Sequence, residues 1–421
     1  MTGTELPALT TEIPGPRSRA AVDVLARHEC PAVTARRARR ATLLGVAEHD
    51  PIVWDDARGA NVRDVDGNRF VDLTSGFGVA LVGHAHPAVV HAARAQVGHL
   101  PHAMGDVFPD AARIELLRGL ADLAPPGLTV ALLGLSGSDA IDAALKTAVL
   151  DTGRSGVLVF GRSYHGLALG VLGLQGYKES FGAPFRALTH PVVRRLAWAA
   201  PIGEVRAALA DGSVGLVLVE PILGRGGVHE APPGWLAEVA GATRAAGARL
   251  ALDEVLTGVG RTGTVFACEA EGVTPDLLCV GKALGGGFPL SACLGTEEVM
   301  AAWGASTGEA LHTQTFLGHP VGCAAGSAVI GLVREGLAAR VSERGARLAG
   351  ALRAAGLGVR GRGLMLAVGV GSGRSLAVSR ALLEQGWLAL PADDDGLQLT
   401  PPVTLSDAQI DGFVAALTGV A

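Results

Sequence analysis

The sequence predicts an α/β protein: a large domain with a mostly parallel seven-stranded-type sheet flanked by helices, plus a small α/β lobe from the N- and C-terminal segments. Short apolar runs alternate with helix-like stretches, as in "VGLVLVEPI", "GWLAEVAGATRAAG" and "ARLALDEVL". Such continuous apolar runs are typical of parallel strands covered on both faces. The length of 421 residues and the hydrophobic content of 49% allow one large domain plus smaller pieces.

The predicted elements divide the chain into four segments. Residues 1–20 lack periodicity and are predicted to form a mobile arm. Residues 21–85 contain "VWDDARGANVRDVDGNRFVDLTSG", whose alternation around an Asp-Gly turn predicts an antiparallel meander in the small lobe. Residues 86–329 carry the apolar strands of the large, ligand-binding domain. Residues 330–421 complete the small lobe with the helix "LAARVSERGARLAGALRAAG" and the strands "RGLMLAVGVG" and "GLQLTPPVTL".

Charge and cysteine content argue against several classes of protein. The net charge of -5 gives no basic surface for nucleic acid and no polybasic patch for a membrane. The sequence contains no run of about 18 uninterrupted apolar residues, so we expect no membrane span. The first residues do not resemble a signal peptide. The five cysteines contain no CxxC pair, so we expect no metal site and reduced thiols in a cytoplasmic protein.

Polar residues follow the predicted strands at their carboxyl ends. Ligand sites in parallel sheets lie beyond these ends. We therefore expect five clusters to face one crevice: Ser136–Asp139, Tyr164–His165, Glu220, Asp253–Glu254 and Lys282.

Three of these clusters suit parts of one ligand, although each has a simpler explanation. Gly137 and Ser138 begin a helix after a strand, where free N–H groups suit a phosphate, or where the turn is only a helix cap. Asp253 ends a buried strand and needs a cationic partner, either a protonated ring nitrogen or an arginine. The ring of Tyr164, next to His165, stacks on a planar ligand or packs in the core.

Lys282 connects these observations, because it follows the apolar run "LLCV" and precedes glycines. Burial and nearby cations lower the pKa of a lysine and make its amine a nucleophile. Pyridoxal 5'-phosphate carries a phosphate that suits Gly137 and Ser138, a protonatable pyridine that suits Asp253 and an aldehyde that suits the Lys282 amine. A surface lysine before a glycine-rich loop is the alternative for this residue alone.

The stretch "LALDEVLTGVGRTGTVFACEAEGVTPDLLCVGKALGGGFPLSACLG" resembles the core signature of the class III aminotransferases of the ornithine/4-aminobutyrate type, which are fold-type I pyridoxal phosphate enzymes. The resemblance extends over most of the chain, from "VRDVDGNRFVDLTSG" and "GHAHPAVV" through "LSGSDAIDAALK" and "SYHG" to "HTQTFLGHPVGCAA", "RGLMLAVGV" and "LTPPVTLS".

This resemblance implies a role for each cluster. Lys282 would form a Schiff base with the cofactor and move protons, and Asp253 would hold the pyridinium proton. Val255 and Tyr164 would pack on opposite faces of the ring, and Glu220 would lie near the ring and the substrate. The residues implied to contact the cofactor are Gly137, Ser138, Tyr164, His165, Glu220, Asp253, Val255, Lys282 and, from the second subunit of a homodimer, Thr315.

The sequence departs from the family pattern at several positions. Leu256 replaces a glutamine that commonly donates to the cofactor, and His319 stands in a loop that usually contains asparagine. Leu223-Gly224-Arg225 replaces Gln-Gly-Glu or Gln-Gly followed by a small residue, and Gln398 replaces an arginine before the Pro-Pro pair. Arg225 and Gln398 are therefore the candidate substrate-binding residues. Either Arg225 has taken over the binding of a carboxylate, or it points to solvent and the substrate carries no carboxylate there.

The function that this pattern favours is transfer of an amino group between an amine or amino acid and a keto acid or aldehyde, in two half-reactions that depend on Lys282. A pyridoxal phosphate-dependent racemase, epimerase or aminomutase is an alternative on the same scaffold. A cofactor-binding protein with an inactive site is a third possibility, against which the intact lysine and aspartate argue.

Overall fold

A computed structural model describes residues 1–46, 51–189, 192–305 and 310–421. In the order of the chain, its α-helices are α1 (Pro16–His28), α2 (Ala32–Leu44), the single turn α3 (Ser75–Gly78), α4 (Pro87–His99), α5 (Ala111–Leu123), α6 (Gly137–Thr152), α7 (Leu169–Leu172), α8 (Ile202–Leu209), α9 (Trp235–Ala245), α10 (Glu297–Met300), α11 (Pro320–Arg334), α12 (Leu337–Ala354), α13 (Ser375–Leu383) and α14 (Asp407–Thr418).

The strands are β1 (Trp54–Arg58), β2 (Asn61–Asp64), β3 (Arg69–Asp72), β4 (Val130–Gly134), β5 (Gly156–Phe160), β6 (Val193–Leu196), β7 (Val214–Val219), β8 (Arg249–Glu254), β9 (Leu277–Val280), β10 (Ser291–Gly295), β11 (Val359–Arg362), β12 (Met365–Gly369), β13 (Trp387–Leu388), β14 (Leu390–Pro391) and β15 (Gly396–Leu399). A short 3₁₀ helix, Lys282–Gly285, follows β9.

The large domain is built on a seven-stranded sheet in the order β4-β10-β9-β8-β7-β5-β6. Neighbouring strands from β9 to β6 are parallel, whereas β10 runs antiparallel to both β4 and β9. Every residue of β5, β7 and β9 is buried, which explains their continuous apolar sequences. The predicted fold class is therefore confirmed, but the sequence analysis did not identify β6 or the antiparallel β10.

The small lobe combines segments from both ends of the chain. The meander β1-β2-β3 is extended by β13, which pairs parallel to β3. A second, antiparallel sheet has the order β11-β12-β15-β14. The helix α12 buries Leu337, Val341, Leu348 and Leu352, which recur on one face at helical spacing. The predicted domain boundaries remain predictions, although the sheet pairing agrees with a lobe made from both chain ends.

The N-terminal segment differs from the mobile arm predicted over residues 1–20. The backbone of Ala8 pairs with that of Arg69 on β3, and the side chain of Asn68 accepts hydrogen bonds from the N–H groups of Thr10 and Thr11. The helix α1 also begins inside the predicted arm. Its free N–H groups at Arg17 and Ser18 are bound by the Asp66 carboxylate, a long-range cap that the local sequence does not reveal.

Within the described ranges, no single helix is long and apolar enough to cross a membrane, although α11 and α12, bent by 70° relative to each other, pass the length and composition test as a pair. The same ranges contain no cluster of three or more His, Cys, Asp or Glu residues able to hold a metal. All five cysteines are unpaired thiols.

Arg261 joins the large domain to the small lobe. Its side chain is fully buried, and its guanidinium donates to the carbonyl oxygens of Leu364 (3.1 Å), Pro401 (2.7 Å) and Gly78 (3.3 Å). Burial lowers the pKa of Arg261 to about 9. Since three separate segments converge on one side chain, Arg261 fixes how the C-terminal strands and the loop around Gly78 meet the large domain.

The variant Arg261→Met is expected to destabilise the protein by about 3 kcal/mol or more, because three buried carbonyls lose their donor. The midpoint of thermal unfolding, measured by circular dichroism, should fall by at least several degrees. Arg118→Met is the matched control, since Arg118 is exposed and its one ion pair among the described residues is with Glu115 on the same helix. Equal midpoints for the two variants would contradict the joining role of Arg261.

Candidate active site

A cavity of about 220 Å³ lies beyond the carboxyl ends of the parallel strands. It brings together residues from every predicted cluster, although these are far apart in the sequence. The lining residues are Ser136, Gly137, Ser138, Tyr164, His165, Gly166, Leu167, Glu220, Gly224, Arg225, Asp253, Val255, Leu256 and Lys282.

Glu254 is the exception and does not line the cavity, contrary to the expectation for Asp253–Glu254. Successive side chains of a strand point to opposite faces, so Glu254 points away when Asp253 faces the cavity. Its carboxylate accepts hydrogen bonds from the N–H groups of Ala267 (2.7 Å) and Cys268 (2.9 Å) and from the Thr257 hydroxyl (2.9 Å). Glu254 therefore holds the segment that follows β8.

The first turn of α6 forms one end of the cavity. Ser136 caps the helix, and the Asp139 carboxylate binds back to the Ser136 N–H in a capping box. The N–H groups of Gly137 and Ser138 have no hydrogen-bond partner among the described residues. Gly166 has a φ of 107°, and a Cβ there would overlap the Ser138 hydroxyl. This end of the cavity suits an anion.

Asp253 lies at the floor of the cavity and is 6% exposed. Its Oδ2 is 2.8 Å from Nδ1 of His165, and its Oδ1 accepts the N–H of Val255 at 3.1 Å. A carboxylate only accepts, so the His165 proton is on Nδ1. The buried Nε2 of His165 has no partner among the described residues. The carboxylate retains lone pairs for a further donor within the cavity.

Glu220 holds two turns that form the cavity wall. Its Oε1 accepts the N–H of Tyr164 at 2.6 Å, and its Oε2 accepts the N–H of Gly224 at 2.8 Å. Burial, together with the negative charge of Asp253, raises the pKa of Glu220. The sequence predicts Glu220 to lie near the ligand. In the structure the Glu220 carboxylate positions the backbone of Tyr164 and of Gly224.

Lys282 follows β9 with a φ of 40°, a value that non-glycine residues rarely adopt. Burial lowers the pKa of Lys282, while the charges of Asp253 and Glu220 act in the opposite direction. A Cβ built on Gly78 would lie 3.6 Å from the Lys282 side chain, so the loop at Gly78 borders the lysine. In this loop Ser75 (φ 48°) and Phe77 (φ 65°) are also left-handed, and such strain is common at functional sites.

Arg225 does not point freely to solvent, because its guanidinium lies over two aromatic rings. Its Cζ is 4.6 Å from the centroid of Tyr164 and 5.6 Å from that of Tyr177. The two rings meet edge-on at 6.4 Å. Sequence analysis did not identify Tyr177. Its one signal was composition, because the chain contains only two tyrosines and the other is Tyr164.

The remaining candidates lie apart from this cavity or fill its edge. Gln398 on β15 is opposite Ala367 and does not line the cavity. Thr315 is exposed and lines a separate cavity of about 670 Å³ that includes His102 and Trp303. The Leu256 side chain packs close to Gly78 and Gly224. A Cβ on Gly78 would lie 2.5 Å from one Leu256 methyl, and a Cβ on Gly224 would lie 2.8 Å from the other.

The arrangement defines a class of site: an anion-binding helix start, a buried acid and an amine around a narrow slot. Pyridoxal phosphate fits these groups. Ser138 and the free N–H groups suit its phosphate, the unfilled lone pairs of Asp253 suit a protonated ring nitrogen, and Lys282 suits its aldehyde. Tyr164 and Val255 both line the space between these groups.

Comparisons with known proteins identify the family. The sequence profile of the aminotransferase class-III family matches residues 45–420, and the chain belongs to this family. It is 36% identical to an acetylornithine aminotransferase of Mycobacterium tuberculosis over 395 residues, covering 92% of this chain and 96% of the relative. It is also 36% identical to a [LysW]-aminoadipate semialdehyde transaminase of Deinococcus radiodurans, covering 89% and 87%.

Solved structures agree with this family. An (S)-enantioselective omega-transaminase from Thermomicrobium roseum matches with a TM-score of 0.86 at 26% identity, covering 96% of this chain and 97% of the other. The ornithine aminotransferase of Toxoplasma gondii, whose structure describes pyridoxal phosphate at the active site, matches with a TM-score of 0.84 at 26% identity over 96% and 93%. The protein is a pyridoxal phosphate-dependent aminotransferase, and these comparisons give no support to the racemase, aminomutase or inactive alternatives.

Proposed function

We propose that the cavity is the aminotransferase active site and that the strand-end residues divide the binding of pyridoxal phosphate among them. The observation that carries this proposal is the meeting of Lys282, Asp253 and the start of α6 in one cavity. Gly137 and Ser138 hold the phosphate through two backbone N–H groups and a hydroxyl, with the positive end of the helix dipole behind them. Gly166 leaves room for the Ser138 hydroxyl.

Asp253 holds the protonated ring nitrogen, with His165 keeping the carboxylate in place. Their 2.8 Å contact is buried, so the carboxylate stays oriented toward the cavity. An ionised Asp253 stabilises positive charge on the ring, which is the state in which a pyridine ring withdraws electrons. Tyr164 and Val255 confine the two faces of the ring, and the Glu220 carboxylate keeps Tyr164 at its position through the backbone.

Lys282 carries out the proton transfer. When bound, pyridoxal phosphate supplies an aldehyde that accepts an amine and a ring that withdraws electrons. The Lys282 Nζ takes the proton from the amine-bearing carbon of the substrate and passes it to the cofactor side. The lowered pKa favours this role, because a neutral amine is required to accept a proton.

The substrates are an amine or amino acid as donor and a keto acid or aldehyde as acceptor, used in alternate half-reactions. The names of the relatives, an acetylornithine aminotransferase and a [LysW]-aminoadipate semialdehyde transaminase, support an amino group at the end of an aliphatic chain. The narrow cavity and the apolar Leu256 and Leu167 beside it suit such an unbranched chain.

A homodimer would complete the phosphate site with Thr315 of a second subunit. Thr315 is exposed and lies outside the cavity that contains Ser138. Around it the chain exposes Met104 (57%), Phe108 (68%) and Phe316 (53%), and His102 packs 5.3 Å from Phe316. Exposed apolar patches of this kind support an interface with another chain. A cytoplasmic location is proposed on the unpaired cysteines, which suit a reducing compartment.

Gly166→Ala is expected to weaken pyridoxal phosphate binding by at least about tenfold, because the added methyl displaces the Ser138 hydroxyl from the phosphate position. The dissociation constant, measured by quenching of tryptophan fluorescence on titration with cofactor, checks this. The control is Gly98→Ala, where a Cβ meets nothing within 4 Å and φ is ordinary. Unchanged affinity in a folded Gly166→Ala protein would remove Ser138 from the phosphate site.

Lys282→Ala is expected to lower turnover by at least about a thousandfold, because the proton acceptor is lost. The chain has three lysines, Lys146, Lys178 and Lys282, so attachment of the cofactor is simple to locate. Borohydride reduction followed by peptide mass spectrometry should find the cofactor on Lys282 alone. Lys178→Ala, which removes an amine 5.1 Å from the Tyr177 ring, is the control and should retain the label on Lys282. Label on Lys146 or Lys178 in the native enzyme would overturn the assignment.

If Thr315 completes the site of the partner subunit, mixing two inactive variants, Thr315→Glu and Lys282→Ala, should restore activity. Thr315→Glu places a negative charge against the phosphate and should abolish cofactor binding. In mixed dimers with Lys282→Ala, one site carries both defects and the other neither, so about a quarter of native activity should return at equal mixing. Mixing Lys282→Ala with Asp253→Asn is the control, and it should restore nothing. No recovery in the first mixture would place Thr315 outside the partner's site.

A further inference from the structure

Arg225 is held at the tip of a fixed loop. Leu223 and His229 close the loop by a backbone hydrogen bond of 3.0 Å, and the Glu220 carboxylate accepts the N–H of Gly224. On the other side of Arg225, the Arg360 Nε donates to the Gly227 carbonyl at 2.7 Å. Both flanks of Arg225 are therefore anchored to groups outside the loop, and its backbone is positioned before any ligand arrives.

The guanidinium is held by ring faces and not by an acid. Tyr164 and Tyr177 lie 4.6 and 5.6 Å from its Cζ. Contacts with ring faces do not use the N–H donors of a guanidinium, and those of Arg225 form no hydrogen bond among the described residues. Since Arg225 is exposed on the cavity side, these donors are available to a ligand that enters the cavity.

The nearby carboxylates are already engaged. Among the described residues, none forms an ion pair with Arg225. Both oxygens of Glu220 accept backbone N–H groups. Asp393, the next acid along this wall, pairs with Arg360 at 2.9 Å and with Arg162 at 3.6 Å. Arg225 is thus an exposed cation that has no protein counter-ion among the described residues, and its planar guanidinium suits a carboxylate through two parallel hydrogen bonds.

Arg225 lines the same cavity as Lys282. The adjacent Gly224 contacts Leu256, Leu256 contacts Gly78, and Gly78 borders the Lys282 side chain. Ser138 is instead next to Gly166, beyond Tyr164. Arg225 and Lys282 line one cavity, and burial and the charge of Arg225 both contribute to lowering the pKa of Lys282, so an anion at Arg225 lies within electrostatic reach of the lysine amine.

We propose that Arg225, framed by Tyr164 and Tyr177, binds the carboxylate of the amino donor and of the keto acid acceptor in two parallel hydrogen bonds. This inference rests on the proposed active site and deepens it: the substrates are carboxylated amines and keto acids rather than simple amines and aldehydes. Because the two half-reactions share one cavity, one arginine serves both substrates. Gln398, an uncharged side chain outside the cavity, takes no part.

The first test uses binding without chemistry. Glutarate and its uncharged isostere glutaramide are titrated into the pyridoxal phosphate form of the enzyme and followed by calorimetry. Native enzyme should bind glutarate at least about tenfold more tightly than glutaramide, and Arg225→Gln should lose that preference. Arg225→Lys should retain only part of it, since an ammonium lacks the planar fork.

Arg162→Gln is the matched control. It removes the same charge from the neighbouring turn, where Arg162 is half exposed and pairs with Asp393, and it should keep the preference for glutarate. If Arg162→Gln lost as much preference as Arg225→Gln, net charge near the entrance would account for the binding and the clamp would be wrong. A native enzyme without preference for glutarate would overturn it equally.

A second measurement separates this proposal from the proposed function. The conversion of the bound cofactor from its pyridoxal to its pyridoxamine absorption is followed with 5-aminopentanoate and with pentylamine. The second-order rate constant for 5-aminopentanoate, divided by that for pentylamine, should fall at least about tenfold in Arg225→Gln. An unchanged ratio refutes the clamp while the conversion itself supports the aminotransferase site. If no amine converted the native cofactor, the site assignment would fail, and the glutarate titration would still decide on Arg225.

Discussion

Two adjacent buried carboxylates at the end of β8 determine how the rest of the large domain is arranged. Burial of an ionised carboxylate is strongly unfavourable unless hydrogen bonds replace its water. Glu254 obtains three such bonds from the segment after β8, and this fixes the loop that carries Arg261. Asp253 obtains its bonds from His165 and Val255 and keeps one side open to the cavity. The pleat of one strand thus separates an acid that holds a neighbouring loop from an acid that faces the cavity.

The strands on either side of β8 bring the other ionisable groups to Asp253. Its neighbours in the sheet are β7, which leads into Glu220, and β9, which leads into Lys282. Burial raises the pKa of Glu220 and lowers that of Lys282, so both shifts favour the neutral forms. The same cavity also contains Asp253 with its histidine partner and the guanidinium of Arg225. This balance favours a ligand with a protonated ring nitrogen at one place and anionic groups elsewhere.

The sequence was sufficient to predict that the residues after the strand ends meet in one cavity. Asp253, Glu220, Lys282 and the start of α6 each come directly after an apolar run, and parallel strands bring such positions to one edge. It was insufficient where a contact depends on distant chain segments. Nothing local to Arg261 indicates that its partners are the carbonyls of Gly78, Leu364 and Pro401.

The same reason explains the other errors in the fold and the site. The antiparallel direction of β10 depends on its pairing with β4 and β9, which its short apolar sequence does not encode. The first residues look irregular because their hydrogen-bond partners, Asn68 and Asp66, are in the meander. Glu254 is an exception, because the alternation of side chains along β8 is a local property that already directs Glu254 away from the cavity that Asp253 faces.

The small lobe supports the part of the cavity around Arg225 in an indirect way. Gln398 stands where the family pattern has an arginine, but β15 keeps it outside the cavity. The lobe instead supplies Arg360 from β11 and Asp393 from the connection between β14 and β15, and these two hold the Gly227 end of the Arg225 loop. Gly227 is required there, because a Cβ would approach Asp393 Oδ2 within 2.6 Å. The guanidinium that lines the cavity therefore comes from the large domain, whereas the groups that support its loop come from the lobe.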